Sequence, residues 1–292
     1  MRDFVYVAPL SIEDAIGELA RGEARALAGG TDLLPQLREG RRSADRIVDL
    51  KRIPALASIT RLAQGGIEIG AALSATRVAR DAAIAASYPA IAAAARLLGS
   101  WQIQNRASLG GNVCNAAPSA DVVPALICHA AEAHVAGANG RRRVALEDLF
   151  VAPGQTVLKA GEMLVSLSLA AVPRRSATTY LRFTPRREMD IAIAGAAVRI
   201  DLAEDGTIAL ARIALASVGP TPLRALPAER LLQGNRPEPA LARAAAVAAA
   251  SAARPISDTR ASADYRRALV EVLTRRALAA SARALNIAWE PA

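Results

Sequence analysis

Two short runs of this 292-residue chain combine paired glycines with small polar side chains: Ala28-Gly29-Gly30-Thr31-Asp32 and Ser108-Leu109-Gly110-Gly111-Asn112. Glycine has no Cβ, so it tolerates positive φ and lets another molecule lie close to the main chain. Each run is followed by an apolar helical pattern with an acidic residue near its start, Asp32 for the first and Asp121 for the second. The N–H groups at a helix start have no intrahelical partner and favour anions. Two such runs meeting on one ligand suit a pyrophosphate, held without the usual dinucleotide fingerprint. The competing reading is a pair of plain tight turns.

Other chemistries lack their residues. The first run has no Lys-Ser/Thr of a nucleotide-triphosphate loop, and no G-x-G-x-x-G is present. The histidines are His129 and His134, neither next to a serine in a nucleophile-elbow pattern. Together with Cys114 and Cys128 they lack zinc-ligand spacing. His129 reads as a packed or surface histidine on a helix. Cys114 is open between a reactive thiol and a small residue packed beside a ligand.

The elements that must position the glycine runs are legible in outline. Residues 24–28 and 46–50 read as short strands flanking a helix from Leu33, with Thr31 or Asp32 as its N-cap and Pro35 tolerated in the first turn. "GGIEIGAAL" reads as a strand, and "TRVARDAAIAAS" as one helix opened by Thr76. Pro89 restarts a helix, and another begins near Asp121. "AHVAGANGRRRVAL" is a hairpin turning at 138–140, and "EMLVSLSL" is a strand. After a linker at 171–179 come strands at "TYLRFTP", "IAIAGAAVRID" and "TIALARIALASV", the last two joined by "LAEDG". Helical patterns cover 237–253 and 264–284.

Composition narrows the class. The chain is long for one core, and 52% of it is hydrophobic, which excludes disorder and gives two or three packed domains. No apolar run is long enough to span a bilayer, and "MRDFVYVAPL" has no signal-peptide pattern. Two cysteines make no disulfide framework and suit a cytoplasmic setting. The net charge of +9 invites a nucleic-acid reading, but only 3% of residues are aromatic and the arginines are scattered. An anionic cofactor or an acidic partner surface would use such charge equally well.

"ALAGGTDLLPQL", "IQNRASLGGNVCNAAPSADVVPAL" and "RFTPRREMDIAIAGAAVRI", in that order, resemble the FAD-binding medium subunit of molybdenum hydroxylases, the relatives of xanthine dehydrogenase and aerobic carbon monoxide dehydrogenase. The resemblance runs over residues 1–285. It implies an α+β chain with a vanillyl-alcohol-oxidase (PCMH)-type FAD-binding fold. Two α/β subdomains, 1–52 and 53–173, would hold the cofactor. A C-terminal domain of antiparallel strands and helices would occupy 177–288. It further implies an oxidoreductase subunit that binds FAD non-covalently. Such a subunit takes electrons from the [2Fe–2S] clusters of a small partner subunit and passes them to an external acceptor, while a large molybdopterin subunit performs the hydroxylation.

The residues carried over are Leu27, Ala28, Gly29, Gly30, Thr31, Asp32, Leu33 and Leu34 for the first FAD loop. For the second they are Ser108, Leu109, Gly110, Gly111 and Asn112, with Ser108 and Asn112 adding side-chain hydrogen bonds to the phosphates. Replacing Gly110 or Gly111 by Val is expected to abolish FAD binding and largely spare the fold. Asp121 matches the acidic residue on the adenosine ribose, with a helix N-cap as its competing role. Leu164 or Val165 matches an apolar residue on the flavin ring. Arg182 stands where relatives often carry a Lys near the flavin. Two cysteines cannot supply the extra iron–sulfur insertion of benzoyl-CoA-reductase-type relatives. The alternatives are a stand-alone FAD oxidoreductase with its own substrate and an assembly subunit without flavin. The first lacks an evident base, and the intact glycine runs speak against the second.

Overall fold

Residues 3–287 are described by a computed structural model; the expected domain limits at residues 1 and 288, and the first two residues of "MRDFVYVAPL", lie outside them. The described residues pack as two compact units. One contains the chain up to Val78 together with Leu98–Ala116 and Ala130–Ala171, and the other contains Ala79–Leu97, Ala117–His129 and the chain from Val172 on.

The first unit starts with a small parallel sheet. Strands Val5–Val7, Arg46–Asp49 and Ala24–Leu27 lie in that order, every pairing parallel. Parallel neighbours need a crossover, and helices Ile12–Leu19 and Leu33–Arg38 supply it. Ser11 caps the former by accepting from Asp14 N at 3.0 Å. Ile12, Ala15 and Leu19 are its buried stripe, packed with Val48, Leu50, Ile53 and Leu56. The strand–helix–strand reading of residues 24–50 is therefore realised.

The second sheet of this unit is five-stranded and antiparallel throughout: Ile59–Arg61, Ile67–Gly70, Met163–Leu169, Glu132–Gly137 and Gly140–Ala145. The hairpin closes at Gly137↔Gly140 as its turn residues require. Met163–Leu169 inserts between strands that precede it in the chain. A bulge lies between Leu164 and Ser166, at Val165.

The expected single helix from Thr76 is two helices, Ala75–Arg80 and Ala82–Ser87. Asp81 stops the first and caps the second, its Oδ1 accepting from Ile84 N at 2.9 Å. Ser74 rather than Thr76 opens the first, accepting from Arg77 N at 3.3 Å.

The second unit is built on strands Ser176–Phe183, Ala194–Leu202, Ile208–Ala216 and Leu223–Arg224, all antiparallel. Every residue of Ala194–Leu202 is buried, as for a central strand covered on both faces. Helices Leu226–Leu232, Pro239–Ala252 and Ala263–Ala284 pack their small residues into one core with this sheet, among them Ala228, Ala245, Ala249 and Ala277. Helices Pro89–Arg96 and Val122–Cys128 also belong to this unit. Among the described residues, no helix is long and apolar enough to cross a membrane.

Candidate functional site

The first glycine run is held from several sides. The strand Ala24–Leu27 ends at Ala28, whose carbonyl accepts from Lys51 Nζ at 2.9 Å. Lys51 is itself held by Asp49 Oδ1 at 2.6 Å, and Tyr6 donates to the other oxygen of Asp49 at 2.6 Å. These neighbours keep the Asp49 carboxyl below its ordinary range, although burial opposes them. Gly30 has φ +78°, the left-handed region that favours glycine. Gly29 answers a different need. A Cβ there would sit 2.1 Å from the carbonyl oxygen of Arg106 and 2.7 Å from Ala107 Cα. Asp32 takes the N-cap position of Leu33–Arg38, but its side chain makes no cap hydrogen bond. Its carboxyl is pushed up by burial.

The second run is the start of a helix rather than a turn. Leu109–Cys114 is helical, and neither Gly110 nor Gly111 has positive φ. Its main-chain N–H groups are used inside the protein. Leu109 donates to Leu73 O at 3.1 Å, Gly110 to Ala71 O at 3.0 Å, and Asn112 to Ser108 O at 3.0 Å. Gly111 donates to Ser108 Oγ at 2.9 Å. The expected bed of N–H groups for phosphate is therefore largely spent on the fold. A Cβ on Gly110 would lie 2.6 Å from both the Cβ and the carbonyl oxygen of Ala71, so Val at this position would disturb the fold. Gly111 is different: its Cβ would meet only Ser108 Oγ, at 2.9 Å.

The two runs line one cavity of about 210 Å³, inside the first unit. Ala28, Gly29, Gly30, Thr31, Asp32, Leu33, Ser108, Gly110, Gly111, Asn112 and Leu164 line it. Leu27 instead packs with Leu37, Ala44 and Ile47. Leu109 is fully buried, Leu34 is 41% exposed, and Val165 packs against the core around Leu56. The cavity wall also holds residues that sequence reasoning passed over: Arg25, Arg42, Gln36, Asn115, Glu162 and Met163. Arg42 donates to Gly154 O at 3.3 Å, and Gln36 Nε2 to Asn115 Oδ1 at 3.1 Å. Glu162 takes two hydrogen bonds from Arg142, at 2.9 and 2.8 Å, and its carboxyl is held down at about 2 chiefly by them. Cys114 lines the cavity too. The residue is only half-buried, but desolvation of its sulfur pushes the thiol up to about 12, which disfavours the reactive-thiol reading.

The cavity can take a polar, partly anionic cofactor. Asn112 Oδ1 is buried with no hydrogen-bond partner, a state that a ligand donor would relieve. The bare Cα of Gly111 leaves room beside it, and two arginines, Arg25 and Arg42, are part of the wall, Arg25 also bonded to Glu23 and Ser43 O at 3.2 Å each. These residues fit a dinucleotide.

Asp121 and Arg182 belong to the second unit. Asp121 stands at the N-cap position of Val122–Cys128, yet makes no side-chain cap bond. The cap role is thus not realised. Its two oxygens accept from Tyr180 Oη at 2.7 Å and Arg182 NH1 at 2.5 Å. Burial pushes the carboxyl up to about 6, against the opposing pull of Arg182 and Tyr180. The Tyr180 phenol is pushed well above its ordinary range by the same burial.

The histidines do not assemble a catalytic centre with these groups. His129 is buried edge-on against Tyr88, and neither ring nitrogen has a partner. Burial, Arg199 and Arg212 push it down to about 3. His134 shares a 2.8 Å hydrogen bond with Ser168. Among the described residues, no cluster of His, Cys, Asp and Glu could hold a metal ion.

Residues 2–171 match the family described as the FAD binding domain in molybdopterin dehydrogenase. Residues 179–281 match the CO dehydrogenase flavoprotein C-terminal domain. The chain is 33% identical over 290 residues to the carbon monoxide dehydrogenase medium chain of Hydrogenophaga pseudoflava, covering 98% of this chain and 97% of that one. It is 31% identical over 281 residues to the putative xanthine dehydrogenase FAD-binding subunit of Escherichia coli K12, covering 95% and 96%. Its fold matches a chain of carbon monoxide dehydrogenase from Hydrogenophaga pseudoflava with a TM-score of 0.92 at 32% identity, over 97% of this chain and 98% of that one. A chain of quinoline 2-oxidoreductase from Pseudomonas putida gives 0.90 at 28% identity, over 97% and 98%.

Fold and sequence together define a flavoprotein with an FAD-binding part and a separate C-terminal domain. The chain belongs to the family of FAD-binding medium subunits of molybdenum hydroxylases, which are multi-subunit oxidoreductases, and FAD is its cofactor.

Proposed function

We propose that this chain receives electrons from a [2Fe–2S] partner subunit and delivers them through FAD to an external acceptor, with the hydroxylation site on a large molybdopterin subunit. The observation that carries the reading is the cavity in which both glycine runs meet Arg25, Arg42 and the orphaned Asn112. When bound, FAD supplies the exchange of one or two electrons. The chain's own residues bind and orient it. Arg25 and Arg42, in the cavity wall, offset the negative charge of the diphosphate. Leu164 and Met163 give an apolar wall, and Ser108, Asn112 and Thr31 offer polar side chains. Asp121, with room for further acceptor contacts, and Arg182 are proposed cofactor residues of the second unit. The cofactor-holding segments are proposed as 1–52 and 53–173, the C-terminal domain as 177–288, and the setting as the cytoplasm.

The test is to purify the chain alone and with the products of neighbouring genes. Acid release should free FAD from both preparations. Supplied with a chemical reductant, the isolated chain should pass electrons weakly to artificial dyes, and it should leave N-heterocycles, aldehydes and carbon monoxide untouched. Flavin reduction by such a substrate in the isolated chain would favour the stand-alone oxidoreductase, and a colourless protein that takes up no FAD would favour the assembly subunit.

A further inference from the structure

Three consecutive arginines, Arg141, Arg142 and Arg143, run along the strand Gly140–Ala145. Side chains alternate across a strand, so the middle one leans away from its neighbours' side. Arg141 and Arg143 are exposed, and they pair with Glu13 at 3.4 Å and Glu132 at 3.7 Å. Arg142 is half-buried and closes a fork. Its Nε and NH2 donate to the two oxygens of Glu162 at 2.9 and 2.8 Å, and NH2 donates again to Val157 O at 3.0 Å. Such a bidentate pair fixes direction as well as charge. Lys159 N adds a bond to Glu162 Oε2 at 2.8 Å, and Glu162 N donates to Lys159 O at 3.0 Å. Gly137 leaves the room that Glu162 fills, since a Cβ there would stand 2.9 Å from Glu162 Cγ. Leu158, Glu162, Met163 and Leu164 line the cavity, whereas Arg142 and Val157 stand outside its wall. One guanidinium from another strand thus grips both ends of the segment from Val157 to Glu162.

We infer that Arg142, outside the cavity, is a positioning residue for FAD: it holds Glu162 as a neutral pair and so keeps a carboxylate of the wall from repelling the anionic cofactor. This rests on the proposal that the cavity is the FAD site. A carboxylate in the wall of a site for an anion is a liability, and in a cavity its field is screened less than in water. The pair removes that liability without removing the carboxylate, which still ties Lys159 N to the strap. The other cation near Glu162 is Lys159. Its side chain is exposed, so solvent screens it, and it replaces only part of what Arg142 supplies.

The experiment titrates FAD into the full chain, stripped of flavin, at low and at high salt, with circular dichroism and urea unfolding as fold controls. Arg142→Met should weaken FAD about tenfold at low salt, and high salt should recover part of the loss. Arg142→Lys keeps the charge and loses the fork, and should bind within about threefold of wild type. Arg142→Met with Glu162→Gln removes the freed charge and should regain most of the affinity. A merely structural role for Arg142 gives neither the salt dependence nor this rescue. Arg142→Gln, which keeps donors but not charge, stands in if Arg142→Met does not fold. Three results would overturn the inference: wild-type FAD affinity in Arg142→Met, an Arg142→Lys protein as weak as Arg142→Met, or a double variant no better than the single one. Gly111→Val separates the two levels of failure. If it and Arg142→Met both bind FAD normally, the cavity is not the cofactor site; if Gly111→Val alone loses FAD, the cavity stands and the role of Arg142 falls.

Discussion

Gly29→Ala and Gly111→Ala should have opposite effects, although both remove a glycine of a motif. At Gly29 the new methyl carbon would stand 2.1 Å from Arg106 O, 2.6 Å from its carbonyl carbon and 2.7 Å from Ala107 Cα. Ordinary contacts need roughly 3.5 Å, so the two backbones must part by about 1 Å. Neither yields easily. Ala107 is held by hydrogen bonds from its N–H to Ile103 O at 2.7 Å and from Ala75 N at 2.8 Å, and Ala28 is held by Lys51 at 2.9 Å. Overpacking against fixed backbone costs about 1–3 kcal/mol, and this case belongs at the upper end. At Gly111 the methyl group meets only Ser108 Oγ at 2.9 Å, the end of a rotatable side chain. Helix propensity returns about 0.5–1 kcal/mol for Gly to Ala, which offsets a weakened Ser108 cap. The apoprotein should therefore keep its stability, while the methyl group narrows the cavity and lowers FAD affinity tenfold or more. Urea unfolding of both apoproteins, beside FAD titration by calorimetry, separates the outcomes. A Gly29→Ala apoprotein as stable as wild type would refute the close backbone approach, and a Gly111→Ala protein with unchanged FAD affinity would refute its place in the binding cavity.

Three further outcomes are expected. His129→Leu should be neutral to about 2 kcal/mol stabilising at pH 7.5, because it removes a buried ring with no hydrogen bond. Between pH 6.5 and about 3 the unfolded chain takes up a proton that folded His129 refuses, so wild-type stability falls as pH drops through that window and the variant should lack this slope in pH-dependent urea unfolding. Asp121→Ala strands the Arg182 guanidinium, whose side chain is 6% exposed, and should cost the apoprotein about 3–5 kcal/mol; adding Arg182→Met should restore much of it, and a double variant no more stable than the single one would contradict a neutralising pair. Cys114 in the native chain should resist iodoacetamide at pH 8 and react on unfolding; rapid labelling of the folded protein would contradict a protonated thiol.

What the sequence disclosed follows the range of the forces involved. The hairpin at 138–140 was legible because its turn chemistry is local, and Pro89 marked its helix start for the same reason. The insertion of Met163–Leu169 between Ile67–Gly70 and Glu132–Gly137 was not, since nothing in a strand's alternation names its distant partner. The Ser108 run did not read as a helix, only as a ligand-binding loop or a plain turn, because paired glycines are poor helix formers. Its helix is fixed by tertiary bonds from Leu109 and Gly110 to Leu73 and Ala71, and by the Ser108 cap. The cap, Ser108 followed by Gly111 as its third residue, was the available signal. Gln36, Asn115, Arg25 and Arg42 were missed as cavity residues because a polar side chain on a helix or strand reads as solvated until the facing element is known.

Asp121 and Arg182 show where motif matching needs geometry. The resemblance assigns the first to the adenosine ribose and the second to the flavin ring. In an extended FAD those groups are separated by the ribityl chain and the diphosphate. The two side chains are 2.5 Å apart, so one intact ion pair cannot serve both ends of an extended cofactor. Either the pair meets a single portion of FAD or one of the two residues has a role inside the protein. The chemistry of the pair also changes the meaning of Arg182. A lone guanidinium would offer a full positive charge to reduced, anionic flavin. Here an ionised Asp121 compensates that charge, and Tyr180 donates to the same carboxylate. What remains at long range is a dipole, so exchanging the usual Lys for Arg alters hydrogen-bond geometry more than net charge. The carboxylate still has lone pairs beyond the two in use. Asp121 can therefore accept a further hydrogen bond without surrendering Arg182, and the pair is better described as one neutral unit than as two independent charges.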